Sequence, residues 1–464
     1  MFWTDICMSA TSAKSTGKQE PTLGAVLNHA HLIRNLTLRY ASAEDHFDEG
    51  WRVVFSNLTH LSIERRGPDG SILLPSLASF IQNNKATLVN FTMDHQFVDD
   101  NALEALCECP RLKECRLAHR LLIDDPDRWT SQFERLWSRL EVVSLREPMT
   151  GSKYIPLKTC PTDWSAPRDS TGQPLGNQIL DLTLSNYNNY VYEAQLWILL
   201  RCTNLKKLSW YIKGKEIMTP MQQLAKIIQQ GHSCQQLEEL RMGYMNFENT
   251  DFASLLSSIS QLNLLDLRYS SFDGESWECL LDESKHLRTL AVLDLTACHG
   301  LPGWVVQEIL CEMPNLKVLR APEMEDMNIL RHDLPWVCQE LEELELTFIL
   351  RKEVYGKDLI LTRLSELTKL QVLLVDFFRS KPMTDLRNFW TEDGEDHLSL
   401  SVHEVEGGAE VGGGLDHLRT LRRLRVVSES MVLYRRQEEA EWIVKNWPRL
   451  EGPVKDGVTQ VLMR

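Results

Sequence analysis

Leu290-Ala-Val-Leu293-Asp-Leu295-Thr-Ala-Cys298-His-Gly-Leu301 is the stretch whose reading decides the fold. It opens on an apolar residue, two others, an apolar, one other, an apolar. Leu237-Glu-Glu-Leu240-Arg-Met242 and Leu341-Glu-Glu-Leu344-Glu-Leu346 repeat the phrase. Aligned on the middle apolar residue, fourteen copies run Leu36, Leu61, Phe91, Cys115, Val143, Leu182, Leu208, Leu240, Leu265, Leu293, Leu319, Leu344, Leu373 and Leu424. The steps are 24 to 32 residues, except 39 before Leu182 and 51 before Leu424. Self-similarity at such a period is the signature of a solenoid.

The second and third apolar residues of each copy are two apart, so on an extended chain they point to one face. Each copy therefore predicts a short strand. Helical spacing fills the stretches between copies. Phe252-Ala-Ser-Leu255-Leu256-Ser-Ser-Ile259 predicts a helix with Asp251 as its N-cap. Pro302-Gly-Trp304-Val-Val-Gln-Glu-Ile309 places proline at a helix start. Strand then helix, repeated, predicts an α/β leucine-rich-repeat solenoid: a curved horseshoe with parallel strands on the concave face and helices on the convex face.

Cysteine stands three residues before the first apolar position in four copies, as Cys109, Cys202, Cys234 and Cys338. Cys298 stands three after Leu295, where such repeats turn. These phrases resemble the cysteine-containing repeats of F-box/leucine-rich-repeat proteins, in the ribonuclease-inhibitor-like superfamily. The resemblance covers roughly residues 30 to 450. It implies a non-enzymatic solenoid for protein–protein interaction, like the substrate-recognition part of an F-box subunit of an SCF-type ubiquitin ligase. The F-box itself, with its Leu-Pro-x-Glu opening, is not found here, and the first repeat strand is expected near Ile33. A Skp1-like adaptor is thus expected as a partner only if an F-box lies upstream. The alternatives are an orphan repeat scaffold with no ligase link and a GTPase-activating repeat protein.

Composition bounds the partners. Asp and Glu total 65 against 50 Lys and Arg, for a net charge of −15, which argues against nucleic acid as the ligand. No run of about 18 apolar residues would cross a membrane. Eleven scattered cysteines and no visible signal peptide point to the cytoplasm or nucleus. No phosphate-binding, zinc-protease or nucleophile-elbow motif occurs. Cys107, Cys109 and Cys115 lack a nearby fourth ligand. Neither catalytic residues, metal nor cofactor are expected.

Residues 1–21 are expected to be disordered, and 22–450 to form the solenoid. Proline-rich 147–178 and acidic, glycine-ending 391–414 read as insertions. Residues 435–464 read as a capping helix and tail, the helix being Arg436 to Trp447. The expected partner is a protein held on the concave face, where positive and negative side chains are nearly balanced and neighbouring strands can pair opposite signs laterally. Just past the strands stand Tyr187, Tyr211, Tyr244, Tyr269, Phe348 and Phe377. Tyrosine and arginine dominate interface hot spots. Tyr211, Arg241, Tyr244, Arg268 and Tyr269, from three adjacent repeats, are the candidate partner-binding residues.

Overall fold

Each apolar phrase becomes a strand because its alternate residues have one buried face to fill. A computed structural model describes residues 5–9, 28–40, 55–65, 77–93, 100–117, 132, 135–146, 178–186, 198–212, 220–230, 234–332, 334–351, 353–379, 414–428, 430 and 437–462. The chain divides into two compact units, Met1–Leu240 and Arg241–Arg464. Both are built of parallel strand-and-helix leucine-rich repeats.

In the first unit, strands β1 (Asp5–Ser9), β2 (Asn35–Tyr40), β3 (His60–Arg65), β4 (Asn90–Met93), β5 (Glu114–Leu117), β6 (Val142–Arg146), β7 (Asp181–Asn186) and β8 (Lys207–Ile212) pair in parallel, each with the next. Leu36, Leu61, Phe91, Cys115, Val143, Leu182 and Leu208 lie in one register, as the phrase alignment requires. All are buried. Helices α1 (Leu77–Asn84), α2 (Asp100–Cys107) and α3 (Pro220–Gln229) fall between strands. Strand β9 (Glu239–Arg241) runs across the boundary between the units.

In the second unit, β10 (Leu264–Asp266), β11 (Val292–Asp294), β12 (Val318–Glu325), β13 (Glu343–Leu350), β14 (Val372–Arg379) and β15 (Val426–Val427) also pair in parallel and in chain order. Leu265, Leu293, Leu319, Leu344 and Leu373 share one register and are fully buried. The helices are α4 (Asn249–Ser258), α5 (Gly274–Asp282), α6 (Ser284–Leu287), α7 (Gly303–Glu312), α8 (Asp326–His332), α9 (Glu353–Glu366), α10 (Gln437–Asn446) and α11 (Pro453–Leu462). No helix among the described residues is long and apolar enough to cross a membrane.

Four expectations change. Asp5–Ser9 is a strand, not a disordered stretch, with Ile6 buried beside Leu36. Trp3-Thr-Asp-Ile6-Cys-Met8 is a further copy of the phrase, overlooked at the chain start. The last copy is displaced by three: Leu373 pairs with Val427, not Leu424. Leu421 sits instead at the preceding turn, and its carbonyl accepts from Leu424 N–H just as that of Leu367 accepts from Leu370. Asp251 lies inside the first turn of α4, which begins two residues earlier, with Glu248 at the N-cap. The stretch expected to hold one helix, Arg436 to Trp447, and a tail carries two helices, α10 and α11, and between them the phrase starts once more. Leu450 N–H bonds to Trp447 O, and Glu451 N–H bonds to Arg425 O at 2.6 Å. The insertions at 147–178 and 391–414 lie outside the described residues except Gln178 and Gly414, as does 10–27 within the N-terminal stretch.

The cysteine position has a plain packing role. Leu112, Leu205, Leu237 and Leu341 each donate their N–H to the carbonyl of the cysteine three residues before. Phe55, Met313 and Leu367 make the same turn in other repeats. The slot therefore asks for a buried apolar group rather than for sulfur. Cysteine adds a thiol that bonds back to the preceding helix, as Cys109 does to Ala105 O at 3.3 Å and Cys202 to Ile198 O at 3.4 Å. Burial pushes the thiol pKa of Cys109 and of Cys338 up to about 12, so both stay protonated.

His286 of α6 is fully buried and bridges two repeats. Its Nδ1 accepts from Leu262 N–H at 3.3 Å, and its Nε2 lies 3.0 Å from Leu256 O. Burial lowers its pKa below the ordinary value. Acid therefore protonates the unfolded chain first. Stability should fall as pH drops below about 6.5, by at most about 1.4 kcal/mol per pH unit, and level off beneath the folded pKa. Urea midpoints at pH 7.5 and 5.5 should differ less in His286→Gln than in the native protein. Leu293→Ala, which empties a buried strand position, should cost about 2–5 kcal/mol in the same assay.

Candidate protein-binding site

Strands β9, β10 and β11 stop one residue past their middle leucine, and the chain then turns in the same way three times. The turns are Met242-Gly-Tyr244-Met245, Leu267-Arg-Tyr269-Ser270 and Leu295-Thr-Ala297-Cys298. Their third residues, Tyr244, Tyr269 and Ala297, have φ of 66°, 58° and 53°. A non-glycine residue in this left-handed region costs about 1–2 kcal/mol. Bonds to the neighbouring repeat offset that cost. Tyr244 N–H donates to Arg268 O at 2.9 Å and Tyr269 N–H to Thr296 O at 3.0 Å. The Ser270 hydroxyl donates to Met242 O at 3.0 Å, and the Cys298 thiol to Leu267 O at 3.1 Å. Ser270 and Cys298, the residues after two of the left-handed positions, thus tie their turns to the repeat before.

The left-handed turn decides where the aromatic side chain points. Tyr244, Tyr269, Phe348 and Phe377 all stand four residues past a middle leucine. Strands β13 and β14 continue past this point, so an even offset keeps Phe348 and Phe377 on the buried face with their leucines. There they stack on each other, centroids 5.4 Å apart. After β9 and β10 the strand has ended, and the turn puts Tyr244 and Tyr269 outside, 40% and 44% exposed. Their rings stack at 4.7 Å with 3° between planes. Two large aromatics in solvent at a strained turn are unusual for a residue type that mostly buries its ring.

Beside the tyrosines, charged side chains run across the strands. Asp266 and Asp294 are buried and stand opposite each other in register. Each accepts from the backbone N–H two residues on, Arg268 and Thr296 respectively, both at 3.1 Å. Two carboxylates so placed repel. Arg268 lies across both, 2.8 Å from Asp266 and 3.6 Å from Asp294. Arg320 lies 3.0 Å from Asp294, 2.6 Å from Glu343 and 3.7 Å from Glu345. Burial pushes the Glu345 pKa up; the nearby Asp294 and Glu343 carboxylates add to this, against the pull of Arg320.

The structure brings Tyr244, Arg268 and Tyr269 together in the second unit. Arg268, expected as a partner-binding cation, is held by Asp266 through Nε and Nη2. Arg241 is half-buried at the end of β9. Tyr211 belongs to the first unit, half-buried in β8 and in register with Ser185 of β7. Tyr187 lies outside the described residues. Sequence reading missed the small residue Ala297 that ends the aromatic row, although the turn spacing of 25 and 28 residues marks it. Among the described residues no group of three or more His, Cys, Asp or Glu side chains is placed to hold a metal ion. The Cys107 thiol donates to Gln132 O at 3.1 Å, and burial pushes its pKa up to about 11.

No family model matches the chain, and no curated protein matches it in sequence. Similar solved structures include an internalin (inlF) from Listeria monocytogenes, 14% identical, with a TM-score of 0.38, covering 89% of this chain and 91% of that one. A chain of the Rad7 and Elc1 complex in yeast is 11% identical, with a TM-score of 0.41, covering 92% of this chain and 80% of that one.

Asp294 joins two arginines and caps its own turn, so Asp294→Ala should cost about 1–3 kcal/mol in urea unfolding. Tyr269→Gly, which relieves the left-handed strain, should cost less than 1 kcal/mol or stabilise.

Proposed function

We propose that this chain is a non-enzymatic repeat protein that recognises a protein partner, and that the outward face of the second unit around Tyr244 and Tyr269 makes the contact. One observation carries the reading: a stacked tyrosine pair is held in solvent at two strained turns, while phenylalanines at the same offset elsewhere are buried. Packing alone gives no reason for that exposure, whereas tyrosine is among the side chains that anchor protein interfaces. The mixed charges beside the pair suit a specific protein surface.

The resemblance of the cysteine-bearing phrases to F-box/leucine-rich-repeat proteins extends the proposal to choosing substrates for a ubiquitin ligase. The Leu-Pro-x-Glu opening of that family's adaptor-docking module does not occur in the sequence, so this part of the proposal rests on the repeats; the alternative is a scaffold with no ligase link.

The test is cross-linking mass spectrometry in cells with a photoreactive residue at Tyr244, followed by affinity measurement with the purified partner. Tyr244→Ala with Tyr269→Ala should weaken binding roughly tenfold or more, with the urea midpoint little changed. A partner that binds the double variant as tightly as the native chain would refute the assignment of this face. Co-elution of purified Skp1 with the protein supports the ligase reading; its absence favours the scaffold.

A further inference from the structure

The row of left-handed turns is incomplete on one side. Tyr244 covers one face of the Tyr269 ring. Because the turn recurs, the other face is turned toward the next one, where the matching residue is Ala297, with a methyl side chain. The rings stack at 4.7 Å, which is also about the spacing of neighbouring strands. A planar group laid on the Tyr269 ring at the same spacing would stand over Ala297.

The charges beside it are out of balance. Asp266, Asp294, Arg320 and Glu345 occupy one register across β10 to β13. With Glu343 and Arg268, and with Arg241 of β9 next to Asp266, this strip holds four carboxylates and three guanidiniums, an excess of one carboxylate. The strand beyond Glu345 continues the register with Leu374. The Glu345 side chain is 41% exposed, and Arg320, its ion-pair partner, is shared with two other carboxylates. The whole chain carries −15.

We propose that the Tyr269 face above Ala297 takes an arginine side chain from a basic segment of the protein partner, and that the carboxylate excess ending at Glu345 takes a second basic residue of the same segment. The proposal rests on the protein-binding reading above and specifies the partner's chemistry. A guanidinium is planar and weakly hydrated, and it stacks on tyrosine better than an ammonium does. The carboxylates orient the segment and speed its approach. Glu345 lies two strands across from Ala297, about 10 Å, a distance that an extended segment with two basic residues a few positions apart can span.

The experiment uses the full chain and a fluorescein-labelled peptide, Gly-Ser-Arg-Gly-Ser-Arg-Gly-Ser, followed by anisotropy at low salt up to about 1 mM protein. Versions with citrulline, which is planar but neutral, and with lysine are measured alongside. The arginine peptide should bind, the lysine peptide more weakly, and the citrulline peptide not measurably. Ala297→Tyr fills the slot with a residue that two neighbouring turns already accept, so folding should be unaffected. It should weaken binding roughly fivefold or more, as should Tyr269→Ala. Glu345→Gln should weaken it roughly threefold. No binding of the arginine peptide, equal binding of the citrulline peptide, or full binding by Ala297→Tyr would each overturn the inference. The protein-binding reading is judged separately by the Tyr244 cross-link. A partner cross-linked there whose contact residues lack arginine sinks this inference and leaves that reading intact.

Discussion

One backbone carbonyl per repeat governs the register. The residue two before the middle apolar position accepts from two consecutive N–H groups of the next repeat. Ala291 O takes Lys317 and Val318, Lys317 O takes Glu342 and Glu343, Glu342 O takes Gln371 and Val372, and Gln371 O takes Arg425 and Val426. The first unit does the same: Arg34 O takes Thr59 and His60, and Thr59 O takes Val89 and Asn90. A parallel strand that slipped by one residue would lose this shared acceptor and turn its leucines to solvent. Repeats of 24 to 32 residues can therefore vary between strands and still align at them.

The same junction explains how the solenoid ends. Glu451 repeats the junction bond on Arg425, and Trp447 repeats the packing turn with its indole bonded to Leu418 O at 3.3 Å. Helix α11 then follows in place of a further strand. This stretch is a repeat begun and, among the described residues, not finished, with its register set by the preceding copy.

Strand length controls the chemistry of the outward surface. Where strands run long, as in β13 and β14, the fourth residue past the leucine returns to the core. Where they stop early, a left-handed turn turns that residue out and leaves a buried aspartate free to cap the turn and gather arginines. The second unit thus holds two surfaces from one repeat pattern, an aromatic step beside β9 to β11 and a charged strip across β10 to β13. Their closeness makes this region the proposed place for recognition.

The strand positions and the buried leucine row were legible from the sequence, because a two-residue alternation has only one way to bury an apolar face. So was the lateral pairing of opposite charges. Near the ends the pattern misled. Leu421-Arg-Arg-Leu424-Arg-Val426 fits the phrase better than Leu424-Arg-Val-Val427 does, yet the carbonyl of Gln371 selects the second. Of the five residues named from the sequence, Tyr244, Arg268 and Tyr269 lie together in the second unit, but their exposure and pairing were not legible in it. Tyr244 and Phe348 have the same offset, and only the three-dimensional course of the turn exposes one and buries the other. Arg268 reads as an available cation in the sequence; Asp266 of its own repeat and Asp294, brought to its side by the neighbouring strand, occupy it. Periodicity is a local property that the chain carries by itself, whereas exposure and charge balance depend on which repeats come to lie side by side.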